Sequence, residues 1–227
     1  MGVAVPRLAR LLSRRQVGGE LSLVALDVDL EHQSSFVTPG QYVELSIEGK
    51  TGYFALASTM LAAPWELVVK DSGDASRALL TAPIGTELLL TSALGAGFAV
   101  QLAEQKPAVI AVTGSAISVL RPLLAHREAR GDLSRTYALV GARSIAETPL
   151  ASELSLWARK GAHVWLAASR TAEGSLPLVH VVSGYVHHAL NSAVAAGDIP
   201  GGALTFAAGH AEMVEALTGV SSVYTNV

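Results

Sequence analysis

The run Val112-Thr113-Gly114-Ser115-Ala116-Ile117-Ser118 places small residues where an apolar segment hands over to a helical one. Small side chains there let a phosphate or ribose approach backbone N–H groups at the positive end of a helix. Tight strand-to-helix turns need glycine for steric reasons too, so the run takes its meaning from its company. Ser169-Arg170 follows another apolar run, and a hydroxyl beside a guanidinium binds phosphate through charge-assisted hydrogen bonds. A solvated loop arginine accounts for the same pair, and for Arg143, which ends a third run. Gly73-Asp74-Ala75-Ser76 precedes the helix-like Arg77-Ala78-Leu79-Leu80. Its N–H groups and the Ser76 hydroxyl suit a pyrophosphate, and an ordinary serine helix cap explains them as well.

Other chemistries find little support. The chain has no cysteine, which excludes a disulfide framework, a thiolate nucleophile and a Cys-ligated zinc or iron-sulfur centre. Redox chemistry would have to come from a bound organic cofactor. Of the seven histidines, His187 and His188 are adjacent on an expected helix, so they point to different faces and do not form an i, i+4 metal pair. No metal site is expected. His210, after Gly209 at a strand end, is a weak candidate for ligand contact. Ser118 and Ser183 have no identifiable base and acid, and no G-x-S-x-G elbow occurs, so a hydrolase is not supported and no catalytic residue is assigned.

Two textures of sequence must position these groups. From about Leu8 to Phe98 short segments such as 21–28, 41–47, 65–70 and 86–91 alternate between turn signals, the pattern of a barrel or sandwich of short strands. After Gln105-Lys106-Pro107 the segments 108–112, 137–140, 163–167 and 203–207 are short unbroken apolar runs, with helical stretches between the first three. That alternation argues for a parallel sheet with helices on both faces, whose ligands bind outside the carboxyl ends of the strands. The expected organisation is a six-stranded-type antiparallel β-barrel over residues 1–102 and a Rossmann-like α/β domain over 103–227.

Composition bounds the partners. The 227 residues suffice for two ordinary domains, and a chain that is 50% hydrophobic and 15% charged has enough apolar surface to fold. Its mean hydropathy is +0.41, yet no apolar run approaches the roughly 18–20 residues of a membrane span. A net charge of -3 provides no general attraction to nucleic acid. Met1 to Gln16 carries Arg7, Arg10, Arg14 and Arg15 but lacks the apolar region of a secretory signal, so it reads as a basic lead-in to the first strand of a cytoplasmic protein.

In their order these segments resemble the ferredoxin-NADP reductase family over about 180 residues. Phe36 with Pro39-Gly40-Gln41-Tyr42-Val43 is similar to the family's early pGQfv segment. Gly52-Tyr53-Phe54-Ala55-Leu56-Ala57-Ser58 sits where the family has its flavin signature R-x-Y-S/T-x-x-S/T, and Gly73 to Ser76 is similar to the second flavin motif, G-x-x-S. Gly95-Ala96-Gly97-Phe98 resembles the exit from the barrel, and Thr113-Gly114-Ser115-Ala116 the nicotinamide motif G-T-G-I-A-P. Gly141-Ala142-Arg143, Gly184-Tyr185-Val186 and Gly209-His210-Ala211-Glu212-Met213 resemble yGaR, GyV and C-G-x-x-x-M.

The resemblance implies FAD contacts from Phe54, Ala55, Leu56, Ser58, Gly73, Ala75 and Ser76. It implies nicotinamide-nucleotide contacts from Thr113, Gly114, Ser115, Arg143, Ser169, Arg170, Gly209 and Met213. Ser169-Arg170 matches the pair that NADP-using members place there, which favours NADPH over NADH. The departures also carry meaning. Gly52, Phe54 and Ala55 stand where the family has arginine, tyrosine and a hydroxyl residue; Val112 and Ile117 replace a glycine and a proline, and Ala208 the cysteine near the nicotinamide. By analogy FAD loses a cation at its pyrophosphate and hydroxyls near its ring. The leading expectation is an oxidoreductase passing hydride from NADPH to FAD and electrons on to a separate acceptor protein or small molecule. The alternative is a degenerate member without productive flavin binding, serving as a binding or assembly subunit.

Overall fold

The computed structural model describes residues 5–218 and 223–225. Its first half is one antiparallel sheet of β1 (Arg7–Gly18), β2 (Leu21–Asp27), β3 (Tyr42–Ile47), β4 (Lys50–Ala55), β5 (Trp65–Lys70) and β6 (Glu87–Leu90), in the order β4-β3-β6-β1-β2-β5. The sheet curls into a barrel whose edges meet at one antiparallel bridge, Leu56 to Leu67, beside a 2.7 Å bond from Ala57 N–H to the Glu66 carbonyl. It is barrel-like without a full closing ladder. β3 shows why the strands form: its residues alternate between half-buried and buried, so one face enters a core around Phe36, Leu45, Trp65 and Leu67. A short helix α1 (Leu30–Ser35) follows β2, and α2 (Asp74–Thr81) links β5 to β6.

β1 replaces the expected basic lead-in. Only Ala9, Leu11 and Val17 of its twelve residues are buried, and a register shift between Leu11 and Ser13 breaks the alternation. Arg7, Arg10 and Arg15 are exposed, and half-buried Arg14 donates to the carbonyls of Leu79 and Ala82, both at 3.1 Å, at the C-terminal end of α2.

The second half is a parallel sheet of β7 (Ala108–Thr113), β8 (Thr136–Ser144), β9 (His163–Thr171), β10 (His180–Ser183), β11 (Leu204–Ala208) and β12 (Val223–Thr225), ordered β10-β9-β8-β7-β11-β12. Helices α3 (Leu120–Ala129), α4 (Ala151–Arg159), α5 (Val186–Ala196) and α6 (Ala211–Thr218) cover it. β7 is buried from Ala108 to Val112 because both its faces are covered, hence the unbroken apolar run. From β7 the chain builds outward through β8 to β10, then returns to place β11 on the other side of β7. The gap between the ends of β7 and β11 is therefore the point where the strand order reverses, the ligand crevice of such sheets.

The halves are joined firmly. The barrel's Val17, Leu21, Leu23, Ala57 and Val68 belong to the same apolar cluster as Ile110, Ile117 and Leu123 of the parallel half. Val17 O accepts from Leu150 N at 2.8 Å, and Ser118 Oγ accepts from Val68 N at 3.2 Å. Arg121, on α3, bridges Glu66 of the barrel (2.7 Å) and Glu153 of α4 (2.8 Å). The crossover before β7 is held by Arg127, which donates to the carbonyls of Ala103 and Lys106 and pairs with Asp132 at 3.3 Å; both charges are buried.

Candidate functional site

Thr113 ends β7, and Gly114 opens a short 3-10 turn (Gly114–Val119) before α3 begins, so the strand hands over to a tighter helix than expected. Across the crevice β11 ends at Ala208, and Gly209 packs directly on Thr113. Gly209 has φ +135°, and a Cβ there would lie 2.9 Å from the Thr113 carbonyl oxygen and would overlap its hydroxyl. Only glycine fits. The Thr113 hydroxyl accepts from His210 N at 3.0 Å, tying the two strand ends together.

These ends open into a cavity of about 550 Å³ that runs across to the barrel. Its floor is Thr113, Gly114, Gly141 and Ala142; one wall carries Arg143, Glu147 and Ser169, another Tyr185, His187, His210, Glu212 and Met213. The barrel closes it with Gly18, Gly19, Glu20, Leu21 and Lys70. Charges are interleaved. Lys70 lies 3.1 Å from Glu20, while Arg143 reaches both Glu20 and Glu147 at 3.9 Å. Glu20 is held below the usual carboxylate range, first by its bond to Lys70 and then by the charges of Arg143 and Arg170. His187 is pushed below the ordinary imidazole value by burial and by His188; the two rings sit 4.1 Å apart, edge to face. Among the described residues no group of three His, Cys, Asp or Glu is placed to hold a metal, and no helix is long and apolar enough to cross a membrane.

Of the residues singled out from the sequence, the cavity gathers Thr113, Gly114, Arg143, Ser169, His210 and Met213. Gly209 packs against Thr113 of its lining, Arg170 is exposed and outside the lining, and Ser115 is exposed on the turn beside it. The barrel residues lie elsewhere. Leu56, Ser58, Ala75 and Ser76 are buried, and Phe54 and Ala55 are half-buried. Ser58 Oγ accepts from Glu66 N at 2.8 Å. The Ser76 hydroxyl accepts from Ser72 N (3.1 Å) and Gly73 N (3.0 Å) and donates to Gly73 O (2.8 Å), so it caps α2. A Cβ at Gly52 would meet Ala75 Cβ at 3.0 Å and the Phe54 ring at 3.2 Å, so the space beside this strand is filled from within. Ser118, weighed as a nucleophile, is spent on the Val68 N–H.

Glu20, Lys70, Glu147, Tyr185 and His187 were not singled out as site residues from the sequence. The pair Gly18-Gly19 is a readable turn signal. That the turn faces a strand end some 90 residues later is a tertiary fact.

Solved structures share this architecture. The fold is that of the ferredoxin-NADP reductases. The Amycolatopsis cytochrome P450 reductase GcoB superposes with TM-score 0.80 at 20% identity, covering 99% of this chain and 70% of its own. A Neisseria gonorrhoeae ferredoxin NADP+ reductase with bound FAD and NADP gives 0.79 at 16% identity over 99% of this chain and all of its own. The cytochrome b5 reductase domain of Ulva prolifera nitrate reductase gives 0.72 at 14%, covering 96% and 97%. At these identities the likeness is one of fold. Neither family models nor curated sequences match the chain.

The cleft's residues fit a nicotinamide dinucleotide: a roomy crevice at the reversal of strand order, half-buried glycines Gly114 and Gly141 in its lining, and Arg143 in its wall. The barrel's motifs fit a flavin through backbone alone. First-turn N–H groups of α2 lie beyond the reach of the helix's own carbonyls. The nearest cation on that helix, Arg77, is drawn to Asp71 and Asp74 at 3.3 and 3.7 Å.

Proposed function

We propose that the chain is an electron-transfer oxidoreductase: its barrel (residues 1–102) and α/β domain (103–227) bring a nicotinamide dinucleotide, with NADPH preferred, against a flavin, and electrons pass on to a separate acceptor protein or small molecule. The observation that supports this most strongly is the cleft at the strand-order reversal, closed on one side by the barrel. When bound, a nicotinamide supplies hydride and a flavin converts it into single electrons, which the protein's own side chains do not do. The chain's part is positioning. Thr113 and Gly114 offer backbone to the ribose-phosphate chain, and Gly209 keeps the β7 and β11 ends in contact. Ser169 and Arg170 take a 2′-phosphate, Arg143 a second phosphate, and buried Met213 packs beneath. Arg121 fixes the angle between the halves. NADPH preference is checked by Arg170→Ala, which should weaken NADPH binding about ten-fold and leave NADH within two-fold, since only NADPH carries the 2′-phosphate. Equal losses would remove that assignment.

The filled space at Gly52 and the capping role of Ser76 favour a second reading, in which flavin is held weakly or not at all and the chain acts as a binding or assembly subunit. A visible spectrum of the protein incubated with FAD and freed of excess separates the two. Retained flavin absorbance that NADPH bleaches without air supports the oxidoreductase. A colourless protein that still binds NADPH supports the subunit.

A further inference from the structure

We propose that His210 is a specificity-determining residue of the cleft, whose imidazole hydrogen-bonds the carboxamide of a nicotinamide and so fixes that ring at the end of β11. This rests on the nucleotide reading above and deepens it.

His210 is held in place by its backbone. Its N–H donates to the Thr113 hydroxyl at 3.0 Å, and its carbonyl accepts from Met213 N at 3.0 Å and Val214 N at 3.2 Å. The last bond makes it the N-cap of α6. Ser, Thr, Asp and Asn are preferred at that position, because a short oxygen side chain closes onto the first-turn N–H groups. The histidine does not do this, and among the described residues no hydrogen bond reaches its ring. The ring lines the cavity instead, beside Glu212 and Met213, with its Nε2 4.0 Å from the point where a Cβ on Gly114 would lie. A side chain that forgoes its local role in order to face a cavity is placed for a ligand.

The order of the strands decides which part of the ligand it meets. Side by side the crevice runs β9, β8, β7, β11, with Ala167 level with Gly141, Gly141 with Thr113, and Ala208 with Val112. Ser169, Arg143, Gly114 and His210 therefore follow one another across three strand spacings, about 14 Å, which leaves room for a dinucleotide lying over the strand ends. With the 2′-phosphate at Ser169 on β9 and the phosphate chain over β8 and β7, the nicotinamide falls at β11. Buried Met213 offers its ring apolar contact there. The carboxamide needs a polar partner, which Ala208 does not provide and an imidazole nitrogen does. Glu212 shares the wall, but it lies on the first turn of α6, one step further from the β7 end to which His210 is tied.

The test is calorimetric titration of the full chain and its His210→Ala variant with NADP+ and with 2′-phospho-ADP-ribose, which lacks only the nicotinamide. NADP+ should bind about five-fold more weakly to His210→Ala, the loss of one hydrogen bond, while 2′-phospho-ADP-ribose changes less than about two-fold. His210→Gln keeps a hydrogen-bonding side chain and should recover most of the difference. His210→Ser supplies the missing cap, so it should raise the urea midpoint and still show the NADP+ loss, a combination that a merely structural histidine would not give. A loss for 2′-phospho-ADP-ribose as large as that for NADP+, or no loss for either, overturns the proposal and leaves the nucleotide reading standing. Failure of the parent and the variants to bind either ligand overturns the nucleotide reading and this one with it.

Discussion

The two halves treat their candidate ligand residues in opposite ways. In the parallel half the strand ends stay open: Thr113, Gly114 and Ser169 line a cavity of about 550 Å³. In the barrel the corresponding residues turn to their own neighbours, with Ser76 capping α2, Ser58 holding Glu66 N and Phe54 packing over Gly52. The parallel half leaves side chains and backbone open to a ligand, while the barrel leaves only backbone N–H groups, because its hydroxyls are already satisfied by backbone. Function must be argued for each half separately.

The comparison presumes that both halves remain joined, and the strongest way to break it is at the crossover. Asp132→Ala strands the buried Arg127 cation and frees Gln105 N, and should cost about 3–5 kcal/mol, read as a lower urea midpoint. Next in size, Gly209→Ala forces a Cβ into Thr113 and separates the ends of β7 and β11. Nucleotide affinity should fall about thirty-fold, equivalent to about 2 kcal/mol, while the barrel is untouched.

A smaller effect probes the barrel alone. Asp29 caps α1, with its Oδ1 2.8 Å from His32 N. That backbone bond, helped by the His32 imidazole and Arg7, holds the carboxyl below the usual aspartate range against the opposing pull of burial. A depressed carboxylate stabilises the fold above its unfolded pKa, and the contribution is lost as pH falls through the folded value. Asp29→Ala should therefore cost about 1 kcal/mol at pH 7, and the two proteins should converge in stability as pH falls below the unfolded aspartate value of about 3.9. Urea midpoints across that range check this. Nucleotide affinity should not move.

The smallest expected change sharpens the contrast most. Gly52→Arg restores a cation to the flavin-signature strand, but its Cβ stands 3.0 Å from Ala75. Gly52→Arg with Ala75→Gly should raise FAD affinity a few-fold over the parent, and Gly52→Arg alone less, measured by quenching of flavin fluorescence. A single variant as good as the double would show that the strand's neighbours were not the obstacle.

What the sequence made legible follows the physics of each half. Strands buried on both faces, such as β7, β8 and β9, leave unbroken apolar runs, and the ends of those runs are the cleft floor, so both were readable together. β1 was not, because only three of its twelve residues are buried and a bulge interrupts the alternation. β10, four residues none of which is fully buried, carries too little signal, and β12 has only three residues. In the barrel the turn and helix at Gly73–Ser76 were foreseen, but whether Ser76 faced a ligand or its own helix depended on hydrogen-bond geometry that spacing does not carry. Glu20 and Lys70 enter the cleft only because the barrel docks there, which no local pattern announces.

The central claim is that the strand ends of the parallel half bind a nicotinamide dinucleotide. It is tested most directly by titrating isotope-labelled protein with NADP+ and following backbone amide resonances. The account predicts saturable one-to-one binding with shifts concentrated at Thr113, Gly114, Arg143, Ser169, Arg170 and His210, and little change at Gly73 to Ser76. No binding at millimolar NADP+, or shifts centred on the barrel, would contradict it.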